Sequence, residues 1–165
     1  GHAILTGKPL IGNEPFAVIL ADDLCDCNEK SVISQMIEIY SQHQCSVVAI
    51  EEVPMNQTHK YGVIAGKLVK NSINTYQVSD MVEKPKEKDA PSNMAIIGRY
   101  ILTPDIFNIL ENIKPDKSGE IQITDALNIQ AKQGKVVAYK FKGKRFDCGS
   151  VKGYLEANNY FAKNL

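Results

Sequence analysis

Two aspartates directly follow a short apolar segment near the start of the sequence. Residues 16–21 are Phe-Ala-Val-Ile-Leu-Ala, and Asp22 and Asp23 come next. Six uncharged residues are too few for a typical helix and are typical of a strand covered on both faces in the middle of an α/β sheet. Open α/β sheets bind ligands at the carboxyl ends of their strands, so these carboxylates could hold a divalent cation and, through it, a phosphate. The alternative is that they only cap the following turn.

A second pair of charged side chains, Glu83 and Lys84, stands before Pro85. Proline disfavours helical backbone in the preceding residue, so we expect an extended Lys84, with the two side chains on opposite sides of a strand end. A sugar phosphate lying across that end could place its hydroxyls against the carboxylate and its phosphate against the ammonium group. An exposed charge pair is the alternative interpretation.

Asp147 and Gly62 carry less specific signals. Asp147 follows a basic segment and precedes a predicted helix, where it could supply the second carboxylate of a magnesium site or simply bond its own backbone in a turn. Gly62 opens a predicted strand, where the missing side chain permits close approach of a ligand, although such glycines also form bulges. Neither His43 nor His59 has a nearby Ser or Cys that would suggest a nucleophile and its base.

The composition argues against several classes of protein. Nineteen basic residues balance nineteen acidic ones, so no overall charge favours nucleic acid or an anionic membrane. The sequence has no membrane-length apolar segment and no signal-like start, so we expect a cytoplasmic protein. The cysteines lack zinc-finger spacing and are expected to be reduced and mostly buried; they are Cys25, Cys27, Cys45 and Cys148.

Hydrophobic periodicity predicts the elements that position these residues. Strands are predicted over 16–21, 46–53, 61–69, 76–82, 94–102 and 136–141, and helices over 31–43, 103–113, 124–133 and 150–162. The order strand, helix, strand at the start predicts a right-handed crossover between parallel strands, and a polar turn joins the third and fourth strands as a β-hairpin. We expect one α/β domain over residues 1–165, with a mixed, mainly parallel sheet flanked by helices and its first strand missing.

Eight short motifs occur in a specific order along the chain. They are Gly-His-Ala at residues 1–3, Ala-Asp-Asp at 21–23, Tyr-Gly-Val at 61–63, Val-Glu-Lys-Pro at 82–85, Ala-Pro-Ser-Asn at 90–93, Gly-Arg-Tyr at 98–100, Gly-Glu-Ile-Gln-Ile-Thr-Asp at 119–125 and Asp-Cys-Gly at 147–149. In this order the motifs resemble the bacterial UTP–glucose-1-phosphate uridylyltransferases, or UDP-glucose pyrophosphorylases. The resemblance extends over essentially the whole chain.

The resemblance implies a Rossmann-like nucleotidyltransferase fold and the synthesis of UDP-glucose and pyrophosphate from UTP and glucose 1-phosphate with Mg2+. It implies that Asp22 and Asp147 bind the metal, that Glu83 holds sugar hydroxyls and Lys84 the sugar phosphate, and that the backbone of Gly62 lies against the sugar. Asp22, Lys84 and Asp147 would be the catalytic residues. For four further residues the resemblance implies, less directly, contacts with the substrate or contacts that support the site; they are Asp23, Asn93, Lys144 and Arg145. A cytoplasmic homo-oligomer, with no nucleic acid or membrane partner, is also implied.

The sequence departs from the family pattern at its beginning. The family's Gly-rich loop, which grips the UTP phosphates, has no counterpart here, and the chain corresponds to the C-terminal three-fifths of such an enzyme. We therefore expect the chain alone to be inactive or nearly so.

Three alternatives remain open. The chain could be a sugar-phosphate or nucleotide-sugar binding module without turnover, or part of an enzyme that uses dTTP. A phosphoacceptor receiver domain also has a strand ending in two aspartates, but the hairpin and the segment 83–85 interrupt the regular alternation of strand and helix that such a domain needs.

Overall fold

The computed structural model describes residues 1–163. Its strands are β1 (Phe16–Ile19), β2 (Asp23–Asp26), β3 (Ser46–Glu52), β4 (Gly62–Leu68), β5 (Thr75–Glu83), β6 (Met94–Leu102), β7 (Val136–Lys140) and β8 (Lys144–Asp147). Its α-helices are α1 (His2–Thr6), α2 (Lys8–Ile11), α3 (Val32–His43), α4 (Asp105–Asn112), α5 (Ile123–Lys132) and α6 (Val151–Ala162). Short 3-10 helices cover Met55–Lys60 and Glu87–Asp89. Across this part of the chain, no helix has the length and apolar character needed to cross a membrane.

Six strands form one mixed sheet in the order β1-β6-β3-β7-β5-β4. β3 and β7 are parallel, whereas β6 is antiparallel to β1 and β3, and β5 is antiparallel to β7 and β4. Four strands therefore run in one direction and β5 and β6 in the other. The predicted mixed α/β sheet is confirmed. Most of its strands run in the same direction, as predicted, but most hydrogen-bonded neighbours in it are antiparallel.

Helices cover both faces of this sheet, as predicted. The larger apolar cluster lies under α4 and α5, and the smaller one lies under α3. β3 serves both clusters because successive side chains of a strand point to opposite faces. Val48 and Ile50 belong to the larger cluster, whereas Val47 and Ala49 belong to the smaller one. The buried, β-branched segment that predicts this strand is therefore central in the fold.

β1 is not the central strand that its apolar sequence predicts. Among the described residues it pairs only with β6, and its residues alternate between partly buried and exposed, with Ile19 58% exposed. β1 and β3 run parallel, as predicted, because both are antiparallel to β6, which lies between them. Tyr100 of β6 stands opposite both Val18 and Val48. A strand from much later in the chain has thus taken the position between two strands that are close in sequence.

Several local predictions are confirmed. The hairpin is present as β4 and β5, paired from Gly62 opposite Glu83 to Leu68 opposite Tyr76. Ser31 and Ser150 cap α3 and α6, since each side chain accepts a hydrogen bond from a main-chain N–H three residues later.

Other features have no counterpart in the sequence analysis. β2 and β8 form a separate two-stranded ribbon, where a polar turn is predicted after Asp23. The ribbon matters for function because Asp23 stands directly opposite Asp147 in it.

The four cysteine thiols are free but only partly buried, so the expectation that they are mostly buried is wrong.

Candidate active site

A cavity of about 340 Å3 lies where β1, β5 and β8 end and β4 and α5 begin. Seven of the predicted site residues line it: Asp22, Asp23, Gly62, Glu83, Lys84, Arg145 and Asp147. Asn93 is not brought to this cavity. It precedes β6, and its main-chain carbonyl accepts a hydrogen bond from the N–H of Val53. The cavity therefore brings together residues from six separated parts of the sequence.

A larger cavity, of about 590 Å3, lies on another part of the surface near Cys27 and Lys142. Gln35 occupies its wall, accepting a hydrogen bond from the Tyr139 hydroxyl at 3.0 Å and donating one to the Lys142 carbonyl at 2.8 Å. None of the predicted site residues lines this cavity. Its polar wall groups already hold each other, so its size alone gives no reason to assign it a ligand.

The carboxylates of Asp22 and Asp147 face the same small space. A Cβ atom placed on Gly149 would lie 3.1 Å from Oδ1 of Asp147 and 3.4 Å from Oδ2 of Asp22. The main-chain N–H of Cys148 also donates to the carbonyl of Asp22 at 2.7 Å. Gly149 thus leaves room between two carboxylates that are 125 positions apart in sequence, as sharing a cation requires.

Asp23 and Arg145 form a buried ion pair beside these carboxylates, with side chains 9% and 6% exposed. The second oxygen of Asp23 accepts a hydrogen bond of 2.7 Å from the N–H of Gly98. Burial by itself lowers the pKa of Arg145, but the hydrogen bond and negative charge of Asp23 outweigh it and raise that pKa. Substrate binding by Asp23 and Arg145 stays a prediction, and the contacts observed for both are to other protein groups.

Arg99 is a second buried cation at this site, and the sequence analysis gave it no role. Its guanidinium group donates to the main-chain carbonyls of Leu20, Gly98 and Asp23. These contacts fasten the turn that carries Asp22 to β6. The available signal was the motif at residues 98–100, whose glycine lets Leu20 approach closely, because a Cβ there would lie 2.6 Å from the Cβ of Leu20.

Glu83 and Lys84 do not have the backbone arrangement predicted for them. Lys84 has a φ angle of +44°, in the left-handed region, rather than an extended conformation. Its N–H donates to the carbonyl of Tyr61 at 3.0 Å, and its Nζ lies 3.8 Å from Oε1 of Glu83. The local preference before Pro85 is therefore overridden at the strand end. The two charged groups meet on one side of it.

Thr124 fixes the other oxygen of Glu83. Its hydroxyl donates a 2.5 Å hydrogen bond to Oε2 of Glu83. A Cβ atom on Gly62 would lie 3.0 Å from the Thr124 oxygen, 3.1 Å from Glu83 and 3.2 Å from Ile96. Glycine at position 62 thus allows this close packing. In the sequence, Thr124 stands out only as part of the motif at residues 119–125, with no role of its own.

Tyr61 contacts the opposite part of the site. Its hydroxyl donates to Oδ2 of Asp147 at 2.8 Å, and its ring lies 5.0 Å from the guanidinium carbon of Arg145. Burial raises the pKa of Tyr61, so the hydroxyl keeps its proton at neutral pH. In the sequence, Tyr61 stands out only as part of the motif at residues 61–63.

The donor set of this cavity is consistent with a magnesium ion. Mg2+ prefers oxygen ligands and usually takes one or two protein carboxylates, with waters and substrate phosphates completing its shell. Asp22 and Asp147 supply two such carboxylates. Within residues 1–163, no cluster of three or more His, Cys, Asp or Glu side chains is placed to hold a metal ion without other ligands.

A mixed α/β sheet with carboxylates and a lysine around a cavity at its strand ends is typical of proteins that bind phosphorylated ligands together with a cation. The family model described as nucleotidyl transferase matches residues 1–164. The chain belongs to this family.

Individual relatives give a finer comparison. The chain is 63% identical to a UTP–glucose-1-phosphate uridylyltransferase of Pseudomonas aeruginosa, over 100% of the chain and 59% of that protein. It is 44% identical to the Staphylococcus epidermidis protein of the same name, over 98% of the chain and 55% of that protein. A crystal structure of UDP-glucose pyrophosphorylase complexed with UDP-glucose superposes with a TM-score of 0.94 at 59% identity, covering 99% of the chain and 62% of that structure. The chain therefore spans less than two-thirds of the length of these relatives.

Proposed function

We propose that the chain is the sugar-phosphate- and metal-binding part of a UTP–glucose-1-phosphate uridylyltransferase. The observation that carries the proposal is the convergence of Asp22, Asp147, Glu83 and Lys84 on one cavity. The similarity to proteins of that name supports the choice of UTP and glucose 1-phosphate as substrates. The enzyme would be a cytoplasmic homo-oligomer acting on small molecules.

The proposed reaction joins two anions. A phosphate oxygen of glucose 1-phosphate attacks the α-phosphorus of UTP and forms a new phosphorus–oxygen bond. The bond from the α-phosphorus to the oxygen bridging it to the β-phosphorus breaks, and pyrophosphate leaves with that electron pair. The attacking oxygen is already ionised, so no protein base has to remove a proton. The protein's contribution is mainly positioning and charge neutralisation.

Each residue of the cavity has a distinct task in this proposal. The Lys84 ammonium group attracts the phosphate of glucose 1-phosphate, and the free oxygen of Glu83 accepts hydrogen bonds from sugar hydroxyls. Asp22 and Asp147 would hold Mg2+, which neutralises phosphate charge when bound. Asp23 and Arg145 hold these carboxylates in place through their buried ion pair. Asn93 is left out because it lies outside the cavity lining.

A chimera tests the proposal directly. The segment of the Pseudomonas aeruginosa relative that matches this chain is replaced by residues 1–165, and release of pyrophosphate from UTP and glucose 1-phosphate is measured. We expect turnover by the chimera and little or none by the chain alone. Asp147→Asn in the chimera should lower kcat by at least about 100-fold, as expected for a lost metal ligand. Asp80→Asn, which changes an exposed aspartate outside the cavity, should leave kcat unchanged.

The outcomes separate the candidate functions. A folded chimera that binds glucose 1-phosphate without turnover would favour the non-catalytic binding module. A chimera that prefers dTTP to UTP would favour the thymidylyltransferase. Equal activity of the chain and the chimera would contradict the proposed division of the enzyme into two parts.

A further inference from the structure

Tyr61 connects two parts of the cavity that come from different regions of the chain. Its main-chain carbonyl accepts a 3.0 Å hydrogen bond from the N–H of Lys84, next to the end of β5. Its side-chain hydroxyl donates a 2.8 Å hydrogen bond to Oδ2 of Asp147, at the end of β8. The β4–β5 pairing therefore fixes the main chain of Tyr61 on one side of the cavity. From there its phenol reaches the carboxylate on the other side.

The carboxylate of Asp147 is held at both oxygens. Oδ2 accepts the hydrogen bond from Tyr61, and Oδ1 accepts one of 3.1 Å from the N–H of Gly149. Arg145 Nη2 lies 3.5 Å from the same Oδ2, and the Arg145 guanidinium group packs on the Tyr61 ring. The Gly149 contact is made two residues further along the chain and does not involve β4. The Tyr61 contact instead sets the carboxylate's orientation relative to the main sheet.

We propose that Tyr61 is a positioning residue of the metal site, whose hydroxyl holds the Asp147 carboxylate in the orientation that lets it share a cation with Asp22. The inference rests on the proposed function, because it takes Asp22 and Asp147 as the metal-binding carboxylates. Carboxylates that bind metals are usually hydrogen-bonded by neighbouring groups, and removing such a group typically lowers metal affinity by about 10- to 100-fold. Tyr61 has the geometry for that role. Its hydroxyl bonds Oδ2 of Asp147, whereas Oδ1 is the oxygen that lies with Asp22 beside Gly149.

Binding of Mn2+, as a paramagnetic substitute for Mg2+, gives a readout that does not depend on turnover. Mn2+ is titrated into the 165-residue chain, and the free ion is measured by electron paramagnetic resonance. Tyr61→Phe keeps the ring and its packing against Arg145 but removes the hydroxyl, and we expect about 10-fold weaker Mn2+ binding. Tyr139→Phe is the matched control, because it also removes a tyrosine hydroxyl that donates to a side chain, in this case Gln35 at 3.0 Å. Its Mn2+ affinity should equal that of the unchanged chain.

Asp147→Asn separates failure of this inference from failure of the proposed function. We expect Asp147→Asn to weaken Mn2+ binding strongly, and Tyr61→Phe to weaken it no further in the double variant, because both act through one carboxylate. If Asp147→Asn weakens binding but Tyr61→Phe does not, the role of Tyr61 is wrong and the metal site stands. Equal losses in Tyr61→Phe and Tyr139→Phe would likewise overturn the role of Tyr61. Unchanged binding in Asp147→Asn, or no saturable binding by the unchanged chain, would overturn the metal site together with the inference.

Discussion

The hydroxyl of Thr124 donates a 2.5 Å hydrogen bond to Oε2 of Glu83. The bond joins the first turn of α5 to the end of β5, and Thr124 is almost fully buried. Because Oε2 is engaged, Oε1 is the oxygen available to a ligand, and it lies 3.8 Å from Nζ of Lys84. Thr124 therefore fixes which oxygen of Glu83 faces Lys84, the residue proposed to bind phosphate.

Thr124→Val should weaken glucose 1-phosphate binding without unfolding the protein. Valine fills nearly the same volume but cannot donate, so Glu83 loses a partner and its preferred orientation. A hydrogen bond to a charged group contributes roughly 1.5–3 kcal/mol, so we expect an increase in Kd of about 10-fold, measured by calorimetry on the chimera.

Thr103→Val serves as the control for this change. The Thr103 hydroxyl bonds Ser46 and Gln130 at the start of α4, away from the cavity. Its loss should lower stability and leave the Kd unchanged. A similar Kd increase in both variants would show that the Thr124 effect is not specific to Glu83.

Lys84→Gly should stabilise the fold while removing phosphate binding. A left-handed conformation is unfavourable for any residue with a Cβ atom by roughly 1–2 kcal/mol relative to glycine, and such strain is often kept at functional sites. We therefore expect the free energy of unfolding to rise by about 1 kcal/mol in urea titrations, with loss of glucose 1-phosphate binding. Gln44→Gly, at a second left-handed position with φ of +51°, should stabilise similarly and leave binding intact. Lower stability in Lys84→Gly would contradict the strain.

Local sequence patterns predicted most elements of the fold, and seven of the predicted site residues line the cavity. The buried segment at β3 and the hairpin of β4 and β5 depend on periodicity and turn residues, which lie within a few positions of each other. The carboxylates of Asp22 and Asp147 and the pair Glu83–Lys84 were identifiable because their motifs occur in the order expected of a known family.

Contacts between distant segments account for what the sequence did not predict. β1 has a sequence typical of a buried strand, but its position at the sheet edge depends on β6, which begins 75 residues after β1 ends. The left-handed backbone of Lys84 contradicts the preference set by Pro85. Tyr61 and Thr124 belong to the motifs, but their contacts could not be predicted from them, since each bonds a carboxylate on a strand distant in sequence.

The buried pair of Asp23 and Arg145 should be sensitive to loss of one partner. Removing one member of such a pair leaves an unpaired buried charge, which destabilises proteins by about 3–5 kcal/mol. In Asp23→Asn, Arg145 keeps only longer contacts of 3.5 Å with Glu51 and Asp147, so we expect a loss of up to this size, measured by urea unfolding. Arg145→Met combined with Asp23→Asn should recover part of the loss, because no charge then remains unpaired between them.

An exposed ion pair provides the comparison for this prediction. Nζ of Lys140 lies 2.7 Å from Oε1 of Glu52, and both side chains are about half exposed. Exposed pairs contribute roughly 0–1 kcal/mol, so Glu52→Gln should change stability by less than about 1 kcal/mol. If Asp23→Asn costs no more than Glu52→Gln, the ion pair beside the proposed metal-binding carboxylates is not structurally important.

Tyr100 should make the protein less stable at alkaline pH. Burial raises the pKa of Tyr100 above its ordinary value of about 10, and the nearby carboxylates of Glu83 and Asp23 raise it further. Below pH 10 both folded and unfolded states keep this proton, so stability does not depend on it. As the pH rises above 10, the unfolded state ionises first, and the folded state loses about 1.4 kcal/mol of stability per pH unit through this residue.

Tyr100→Phe tests that dependence because it removes the ionisable group and keeps the buried ring. Between pH 10 and 11, urea unfolding of Tyr100→Phe should show a shallower loss of stability than the unchanged chain, by up to about 1.4 kcal/mol. Tyr154→Phe, at a tyrosine that is 57% exposed on α6, serves as the control and should retain the original slope. Identical slopes in all three proteins would mean that Tyr100 ionises equally readily in both states. Such a result would be incompatible with a phenol enclosed between the apolar core and the acidic side of the cavity.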